Sequence, residues 1–155
     1  MENYIDFTIG EKKRIALIAH DHEKAKLIRW CLKNKSILEQ HDLCGTGTTA
    51  GLVSEKTGLR VRGYNSGPLG GDQQIGAKIV EGRIDVVIFF ADPLTAQPHD
   101  PDVKALMRIA QVYDIPMACN LATADFLITS PFMGSPYTHE VLNFKENVKE
   151  RVKNM

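Results

Sequence analysis

Arg14-Ile-Ala-Leu-Ile-Ala-His20 is a short, nearly continuous run of apolar residues. Such a run is typical of a strand that is buried on both faces of a parallel sheet. The segment Asp85-Val-Val-Ile-Phe-Phe90 repeats this pattern and is the clearest buried strand in the chain. A sheet whose strands are buried in this way needs a layer of helices on each face.

Helical and strand patterns alternate along the rest of the chain. Three more strands are predicted, at His41–Cys44, Leu59–Tyr64 and Ile115–Asn120. Helices are predicted at Asp21–Asn34, Ala50–Thr57, Asp72–Val80, Asp102–Tyr113, Thr123–Thr129 and Phe144–Lys153, and a loop at 130–137. This alternation builds βαβ units. We therefore predict a single α/β domain over residues 1–155, a three-layer sandwich with a mainly parallel sheet of about five strands and helices on both faces.

The charges of the chain are balanced. Nineteen lysines and arginines offset nineteen aspartates and glutamates, which argues against a general electrostatic attraction to nucleic acid or to an anionic membrane. No apolar run approaches the roughly 20 residues that span a bilayer, and residues 1–13 lack the apolar core of a signal peptide. Cys31, Cys44 and Cys119 have no spacing typical of disulfides or zinc sites. These features predict a cytoplasmic protein with free cysteines.

Unusual polar segments follow four consecutive predicted strands, at residues 20–24, 46–49, 66–72 and 91–102. Right-handed crossovers bring the carboxyl ends of parallel strands to one edge of the sheet, and α/β proteins bind ligands at that edge. The four segments are therefore predicted to form one ligand site.

The loop Ser66-Gly-Pro-Leu-Gly-Gly-Asp-Gln-Gln74 contains three glycines and leads into a predicted helix. Glycine lets a backbone come close to a ligand, and the N–H groups that begin a helix suit an anion such as phosphate. Asp72 is either the helix N-cap or a catalytic base beside a bound phosphate ester. The two interpretations are compatible, because a capping position would hold the carboxylate and the helix N-terminus would keep it ionised.

The segment Gly45-Thr-Gly-Thr-Thr49 offers backbone N–H groups, three hydroxyls and the start of a helix. It resembles a phosphate-binding turn, although it lacks the Gly-Lys-Ser/Thr ending of a P-loop. Lys24 could add a positive charge to the same anion. The alternative is a tight turn in which Thr48 or Thr49 caps the helix.

Four side chains are candidates for acid–base chemistry, and they are predicted to converge on the same edge: His20, Asp72, His99 and Asp102. Histidine is the commonest proton shuttle, and a carboxylate often orients it. Asp102 could orient His99 or cap its own helix.

Structural and metal-binding alternatives involve the neighbouring residues. Asp21 is predicted to be a plain N-cap, and His22 has no assigned role. A divalent ion held by His20, His22, Asp100 and Asp102 is disfavoured, because their spacing matches no known ligand pattern. No metal is therefore predicted.

Six blocks of sequence resemble the methylglyoxal synthase family. They are Ala19–Lys24, Gly45–Thr49, Ser66–Gln74, Phe89–Leu94, Pro98–Leu106 and Asn120–Asp125. The blocks occur in the family's order and cover the chain from about Arg14 to Pro131, whereas residues 132–143 match poorly. The resemblance implies conversion of dihydroxyacetone phosphate to methylglyoxal and inorganic phosphate through an enediolate phosphate, without a cofactor, in a bypass of glycolysis.

The resemblance also implies roles for individual residues. Asp72 corresponds to the catalytic base, His99 to the histidine that handles the substrate oxygens, and His20 and Asp102 to other active-site positions. The phosphate positions fall on Lys24, Thr46, Gly47, Thr48, Thr49, Ser66 and Gly67. The family is usually an allosteric homohexamer inhibited by phosphate, and Arg151 matches an arginine at subunit contacts.

Two other functions remain open from the residues. A similar domain serves as the regulatory, ligand-sensing part of carbamoyl phosphate synthetase, and such a module could lose the acid–base residues. The presence of Asp72, His99 and Asp102 favours the enzyme. A metal-dependent phosphatase would instead release dihydroxyacetone and would stop in the presence of a chelator.

Overall fold

The computed structural model describes residues 3–155. Its strands are β1 (Tyr4–Ile9), β2 (Arg14–Ala19), β3 (Asp42–Gly45), β4 (Val61–Gly63), β5 (Val86–Phe90), β6 (Met117–Ala118) and β7 (Tyr137–Leu142). Its α-helices are α1 (Lys24–Lys33), α2 (Lys35–Leu38), α3 (Gly47–Thr57), α4 (Gly71–Val80), α5 (Asp100–Val112), α6 (Leu121–Ile128) and α7 (Phe144–Lys153). Short 3₁₀ turns cover Asp21–Glu23, Gly67–Leu69 and Pro131–Gly134.

Five of the strands form one sheet, in the order β4-β3-β2-β5-β6. Each neighbouring pair is parallel, and β2 lies at the centre between β3 and β5. The predicted α/β architecture with a parallel five-stranded sheet is therefore confirmed. Because all five strands run in the same direction, their carboxyl ends lie at one edge of the sheet.

Two layers of helices bury the sheet. On one face Leu17 of β2 belongs to a cluster with Leu27 of α1. On the other face Ile18 belongs to a cluster with Ile75 of α4 and Leu106 of α5. Full burial of an aliphatic side chain stabilises the fold by about 1.5–3 kcal/mol. Successive residues of β2 therefore pack into different layers, which explains why its sequence is a continuous apolar run.

A second, antiparallel sheet joins β1 to β7, and the sequence patterns did not predict it. The predicted loop at 130–137 contains a 3₁₀ turn and the first residue of β7. β1 alternates apolar Ile5, Phe7 and Ile9 with two polar residues, but only Ile9 is buried and the partner strand lies at the other end of the chain. The buried ammonium of Lys13 connects this region to the end of β1, because it donates to the carbonyls of Gly10 and Ser135 at 2.6 Å each.

The aspartates that were predicted to cap α4 and α5 do not cap them. The N-cap of α4 is Gly70, at a φ of 96° that favours glycine, and Asp72 lies inside the first turn. The N-cap of α5 is His99, and Asp102 lies inside that helix. Neither carboxylate is therefore engaged as a helix cap.

The three cysteines are free thiols. Burial raises the pKa of Cys31 to about 12 and, with a small opposing effect of Arg62, that of Cys44 to about 11. Such thiols are poor nucleophiles at neutral pH, because the thiolate is the reactive form. No helix within residues 3–155 is long and apolar enough to cross a membrane.

Candidate active site

The carboxyl edge of the sheet brings together Asp72, His99 and His20. Asp72 is 1% exposed, and its Oδ2 lies 3.5 Å from Nε2 of His99. The ring of His99 meets the ring of His20 edge-on, with centroids 5.5 Å apart. Three segments that are distant in sequence therefore bring one carboxylate and two imidazoles together. They meet because the parallel strands that precede them end at the same edge of the sheet.

Asp72 is a buried carboxylate without a hydrogen-bond donor. Neither of its oxygens has a hydrogen-bond partner among residues 3–155. Burial raises its pKa, the charge of Asp102 adds to the rise, and His99 opposes it. The N-terminus of the helix therefore does not lower the pKa of this carboxylate, because the desolvation of the charged form outweighs the stabilising neighbours.

His20 is held in one tautomer by the backbone. Its Nδ1 accepts a hydrogen bond from the N–H of Asp92 at 2.9 Å, so the proton of the neutral ring sits on Nε2. That Nε2 is buried and has no partner within the described chain. Burial and the proximity of His99 lower the pKa of His20, which keeps the ring neutral. His20 therefore presents an N–H donor beside His99.

The backbone of Gly67 lies directly against this cluster. A Cβ added at Gly67 would stand 2.8 Å from Nε2 of His99 and 3.4 Å from Oδ2 of Asp72. Contacts below 3.0 Å do not occur for real Cβ atoms. A side chain at this position would therefore have to displace the ring of His99, so glycine suits the close approach of the loop to the cluster.

Asp102 does not orient His99 through its side chain. Its Oδ1 accepts a hydrogen bond from Nε2 of Gln73 at 3.0 Å, and it meets His99 only through the backbone, where its N–H donates to the His99 carbonyl. The carboxylate of Asp102 therefore influences the site through its charge, which contributes to the raised pKa of Asp72, and does not bond to the imidazole of His99.

The segment 46–49 forms the N-terminus of α3. Thr46 is the N-cap, and neither it nor a later threonine makes a side-chain cap, so the capping alternative for Thr48 and Thr49 is wrong. The N–H of Gly47 donates to the Asn65 carbonyl at 3.1 Å, while the N–H groups of Thr48 and Thr49 have no partner within residues 3–155. The helix N-terminus therefore offers two free donors and a partial positive charge.

Lys24 lies at the start of α1, on the side of the site that His20 occupies. Its ammonium pairs with Asp21, and its positive charge contributes to the lowered pKa of His20. Asp21 is therefore not an N-cap, since the 3₁₀ turn that contains it is capped by His20 and α1 begins only at Lys24. His22 pairs with Asp92 at 2.9 Å, so it contacts the residue whose N–H holds His20.

A separate groove of about 1260 Å³ lies at the opposite, amino edge of the sheet. None of the predicted site residues lines it. Several cations of this groove are paired, as Lys12 is with Asp42 and Arg14 with Asp85. The basic residues that line it are Lys12, Arg14, Lys35, Arg60, Arg62, Lys78 and Arg83.

No group of three or more histidine, cysteine, aspartate or glutamate side chains within residues 3–155 is placed to hold a metal ion. Of the four residues considered as metal ligands from the sequence, His20 contacts His99 and His22 pairs with Asp92.

Comparisons with known proteins identify the family. The MGS-like domain family matches residues 26–119. Methylglyoxal synthase of Clostridium acetobutylicum is 56% identical over 142 residues, which are 92% of this chain and 98% of that protein. Methylglyoxal synthase of Leptospira interrogans is 59% identical over 138 residues, or 89% and 93% of the two chains. This chain belongs to the methylglyoxal synthase family.

A solved member of the family has the same fold. The crystal structure of methylglyoxal synthase from Elizabethkingia anophelis matches with a TM-score of 0.88 and 50% identity, over 94% of this chain and 95% of that one. The resemblance that was inferred from the six sequence blocks is therefore confirmed.

Three residues of the site region were not assigned from the sequence: Gln73, Gln74 and Asp92. Both glutamines lie in the sequence block Ser66–Gln74, which was predicted to be part of the site. Their hydrogen bonds with Asn65 and Asp102 depend on the tertiary structure. Asp92 holds His20 through its backbone N–H, which every residue type except proline has. No sequence signal could have shown that contact.

The raised pKa of Asp72 predicts a gain in stability when its charge is removed. The folded state favours the protonated carboxyl, so stability is lost as the pH rises from the ordinary aspartate pKa through the raised one. Asp72→Asn should therefore unfold at a higher urea concentration than the unsubstituted protein at neutral pH, and the difference should shrink at acidic pH.

The matched control is Asp21→Asn, because the hydrogen bond from Lys24 lowers the pKa of Asp21 and its removal brings no such gain. A lower urea midpoint for Asp72→Asn at neutral pH would show that the fold stabilises the Asp72 carboxylate.

Proposed function

We propose that this chain is a lyase that converts dihydroxyacetone phosphate to methylglyoxal and inorganic phosphate, by removal of a carbon-bound proton followed by elimination of phosphate. The observation that carries the proposal is the buried Asp72 carboxylate, which accepts no hydrogen bond from the described chain and lies 3.5 Å from His99. Membership of the methylglyoxal synthase family supports the same reaction. We also propose that residues 1–155 form a single domain.

Asp72 is proposed as the base that takes a proton from the hydroxymethyl carbon of the substrate. A C–H group beside a ketone is a weak acid, so the base must be strong for a carboxylate. Burial raises the pKa of Asp72, and the absence of donors leaves both oxygens free to accept a proton. Its environment therefore suits proton removal better than that of an exposed aspartate.

The two histidines are proposed to stabilise the enediolate oxygens. His20 offers a neutral Nε2–H because its Nδ1 is occupied by the Asp92 N–H. His99 stands beside it, at the N-cap of α5. One preorganised donor of this kind typically contributes about 2.7–4 kcal/mol to such a reaction. Proton removal becomes feasible because the negative charge moves onto oxygens that already face these donors.

The phosphate is proposed to bind at the N-terminus of α3, where Thr46 to Thr49 provide N–H groups and hydroxyls. Lys24, Ser66 and Gly67 would complete the contacts. Phosphate leaves readily only when its C–O bond stands roughly perpendicular to the enediolate plane, so that it overlaps the π system. Contacts with the phosphate at several points would fix that torsion angle. The rate of elimination would rise because the breaking bond is held in the reactive orientation.

A regulatory, ligand-sensing role is the second candidate, and the site argues against it. A sensor needs the phosphate-binding turn but has no use for a buried carboxylate, because burying one without donors destabilises the fold. The contact between Asp72 and His99 is therefore explained by catalysis and left unexplained by sensing.

We further propose that the protein is a cytoplasmic homohexamer that inorganic phosphate inhibits. An apolar stripe supports self-association: Phe144, Val148 and Val152 recur at intervals of four residues on α7 and are 38%, 58% and 67% exposed. Arg151 lies on the same helix, where it could contact another subunit.

A product assay on dihydroxyacetone phosphate tests the proposed activity. The purified protein should release methylglyoxal and phosphate in equal amounts, with the same rate in the presence of a chelator. Asp72→Asn should lower turnover by about 10²- to 10⁴-fold, the usual contribution of a general base. Release of dihydroxyacetone, or loss of activity with the chelator, would instead identify a metal-dependent phosphatase.

Gly67→Ala tests the close approach of the loop to the catalytic cluster. The added methyl group should displace His99 and lower kcat/KM by about 10²-fold, because misplacement by an ångström can cost that much. Gly51→Ala is the matched control, since a Cβ there meets no atom within 4 Å. Equal kcat/KM values for the two variants would contradict the proposed packing role of Gly67.

Light scattering tests the apolar stripe of α7. The double variant Val148→Lys/Val152→Lys should have a lower molar mass in solution than the unsubstituted protein, because charge is placed in a surface that self-association would bury. Glu150→Lys adds a lysine outside the stripe and should leave the mass unchanged. An unchanged mass for the double variant would place the subunit contacts elsewhere.

A further inference from the structure

Asn65 connects the phosphate-binding end of α3 to the helix that carries Asp72. The carbonyl of Asn65 accepts the N–H of Gly47 at 3.1 Å. The N–H of Asn65 donates to Oε1 of Gln74 on α4 at 2.8 Å. One residue is therefore hydrogen-bonded on both sides, to the turn proposed for phosphate and to a side chain two residues beyond the proposed base.

The backbone around Asn65 fits closely against both helix ends. A Cβ added at Gly71, the first residue of α4, would stand 2.0 Å from the Asn65 carbonyl oxygen. A Cβ added at Gly47 would stand 2.6 Å from the Tyr64 carbonyl oxygen. The segment from Tyr64 to Ser66 is therefore packed directly between the two N-termini.

Gln74 supplies the one side-chain acceptor in this connection. Among its other bonds, the N–H of Gly71 donates to the Ser66 carbonyl at 2.9 Å, and Nδ2 of Asn65 donates to the Leu69 carbonyl at 3.3 Å. Gln74 belongs to none of the groups that are proposed to touch the substrate. Gln74 would affect the reaction indirectly. Its hydrogen bond with Asn65 would influence the position of the Gly47 turn relative to Asp72, which lies in the first turn of α4.

We propose that Gln74 is a positioning residue that sets the orientation of the phosphate-binding turn relative to Asp72, and thereby decides the fate of the enediolate. This inference rests on the proposed function. The enediolate can expel phosphate, in which case the C–O bond breaks and the resulting enol tautomerises to methylglyoxal. It can instead take a proton back from Asp72, in which case a C–H bond forms and phosphate stays attached.

The orientation of the two helix ends selects between these outcomes. Asp72 and the histidines define where the enediolate plane lies, whereas the N-terminus of α3 defines where the phosphate lies. The angle between the plane and the C–O bond therefore depends on how the two helix ends are joined. Loosening the Gln74 connection should reduce elimination more than proton removal, because only elimination needs the perpendicular bond.

The test follows the reaction in deuterated water. Methylglyoxal release measures elimination, and deuterium in the recovered three-carbon phosphates measures reprotonation. Gln74→Leu should lower kcat for methylglyoxal by about tenfold or more and raise the ratio of exchange to elimination. Gln74→Glu should restore the ratio of the unsubstituted protein, because a carboxylate oxygen can accept the same Asn65 N–H.

Two further variants keep the test decisive. The side chain of Gln74→Asn is too short to reach the N–H of Asn65, so this variant should also lower kcat for methylglyoxal and raise the ratio of exchange to elimination. It provides the test if Gln74→Leu fails to fold. Gln40→Leu removes another side-chain to backbone hydrogen bond, Nε2 of Gln40 to the Ser36 carbonyl at 3.0 Å, and should leave the ratio unchanged.

The possible failures are distinct. An unchanged ratio in Gln74→Asn or Gln74→Leu, or a ratio that Gln74→Glu does not restore, would overturn the positioning role while the enzyme remains a methylglyoxal synthase. Absence of methylglyoxal from the unsubstituted protein would overturn the proposed function itself.

Discussion

Parallel pairing of β2 with β3 and β5 is the constraint on which the site depends. Because these strands run in the same direction, the segments that follow them leave the sheet at one edge. His20 follows β2 directly, the Thr46–Thr49 turn follows β3, and the loop that leads to His99 follows β5. An antiparallel β3 or β5 would place these groups at opposite ends of the sheet.

Burial of Asp72 is the main energetic compromise of the structure. The fold leaves both oxygens of a carboxylate without a donor from the described chain, which destabilises its charged form. His99 offsets part of this cost, and Asp102, held by Gln73, adds to it. A stable protein would avoid such an arrangement, whereas a strong carboxylate base requires it.

Close backbone contacts hold the loops of the site together. Gly67 touches His99 and Asp72, and Gly71 touches the Asn65 carbonyl, so glycine serves here for contact and not for flexibility. The helix ends of α3 and α4 meet at Asn65, and the bond from its N–H to Gln74 adds a side-chain link to that junction. Asn65 therefore fixes the two helix ends relative to each other through hydrogen bonds on both sides.

The sequence by itself determined the α/β architecture and the alternation of β2 to α6, and it indicated the polar loops that follow the strands, because buried strands and glycine-rich turns leave local patterns. It did not determine that Gly70 and His99, instead of Asp72 and Asp102, cap α4 and α5. Nor did we predict the β1–β7 sheet from it, because the two strands that pair lie at opposite ends of the chain and the first is mostly exposed. The tertiary structure alone decided the pKa directions, the tautomer of His20 and the bond from Asn65 to Gln74. Each of these depends on distances between groups far apart in the chain, and only packing sets those distances.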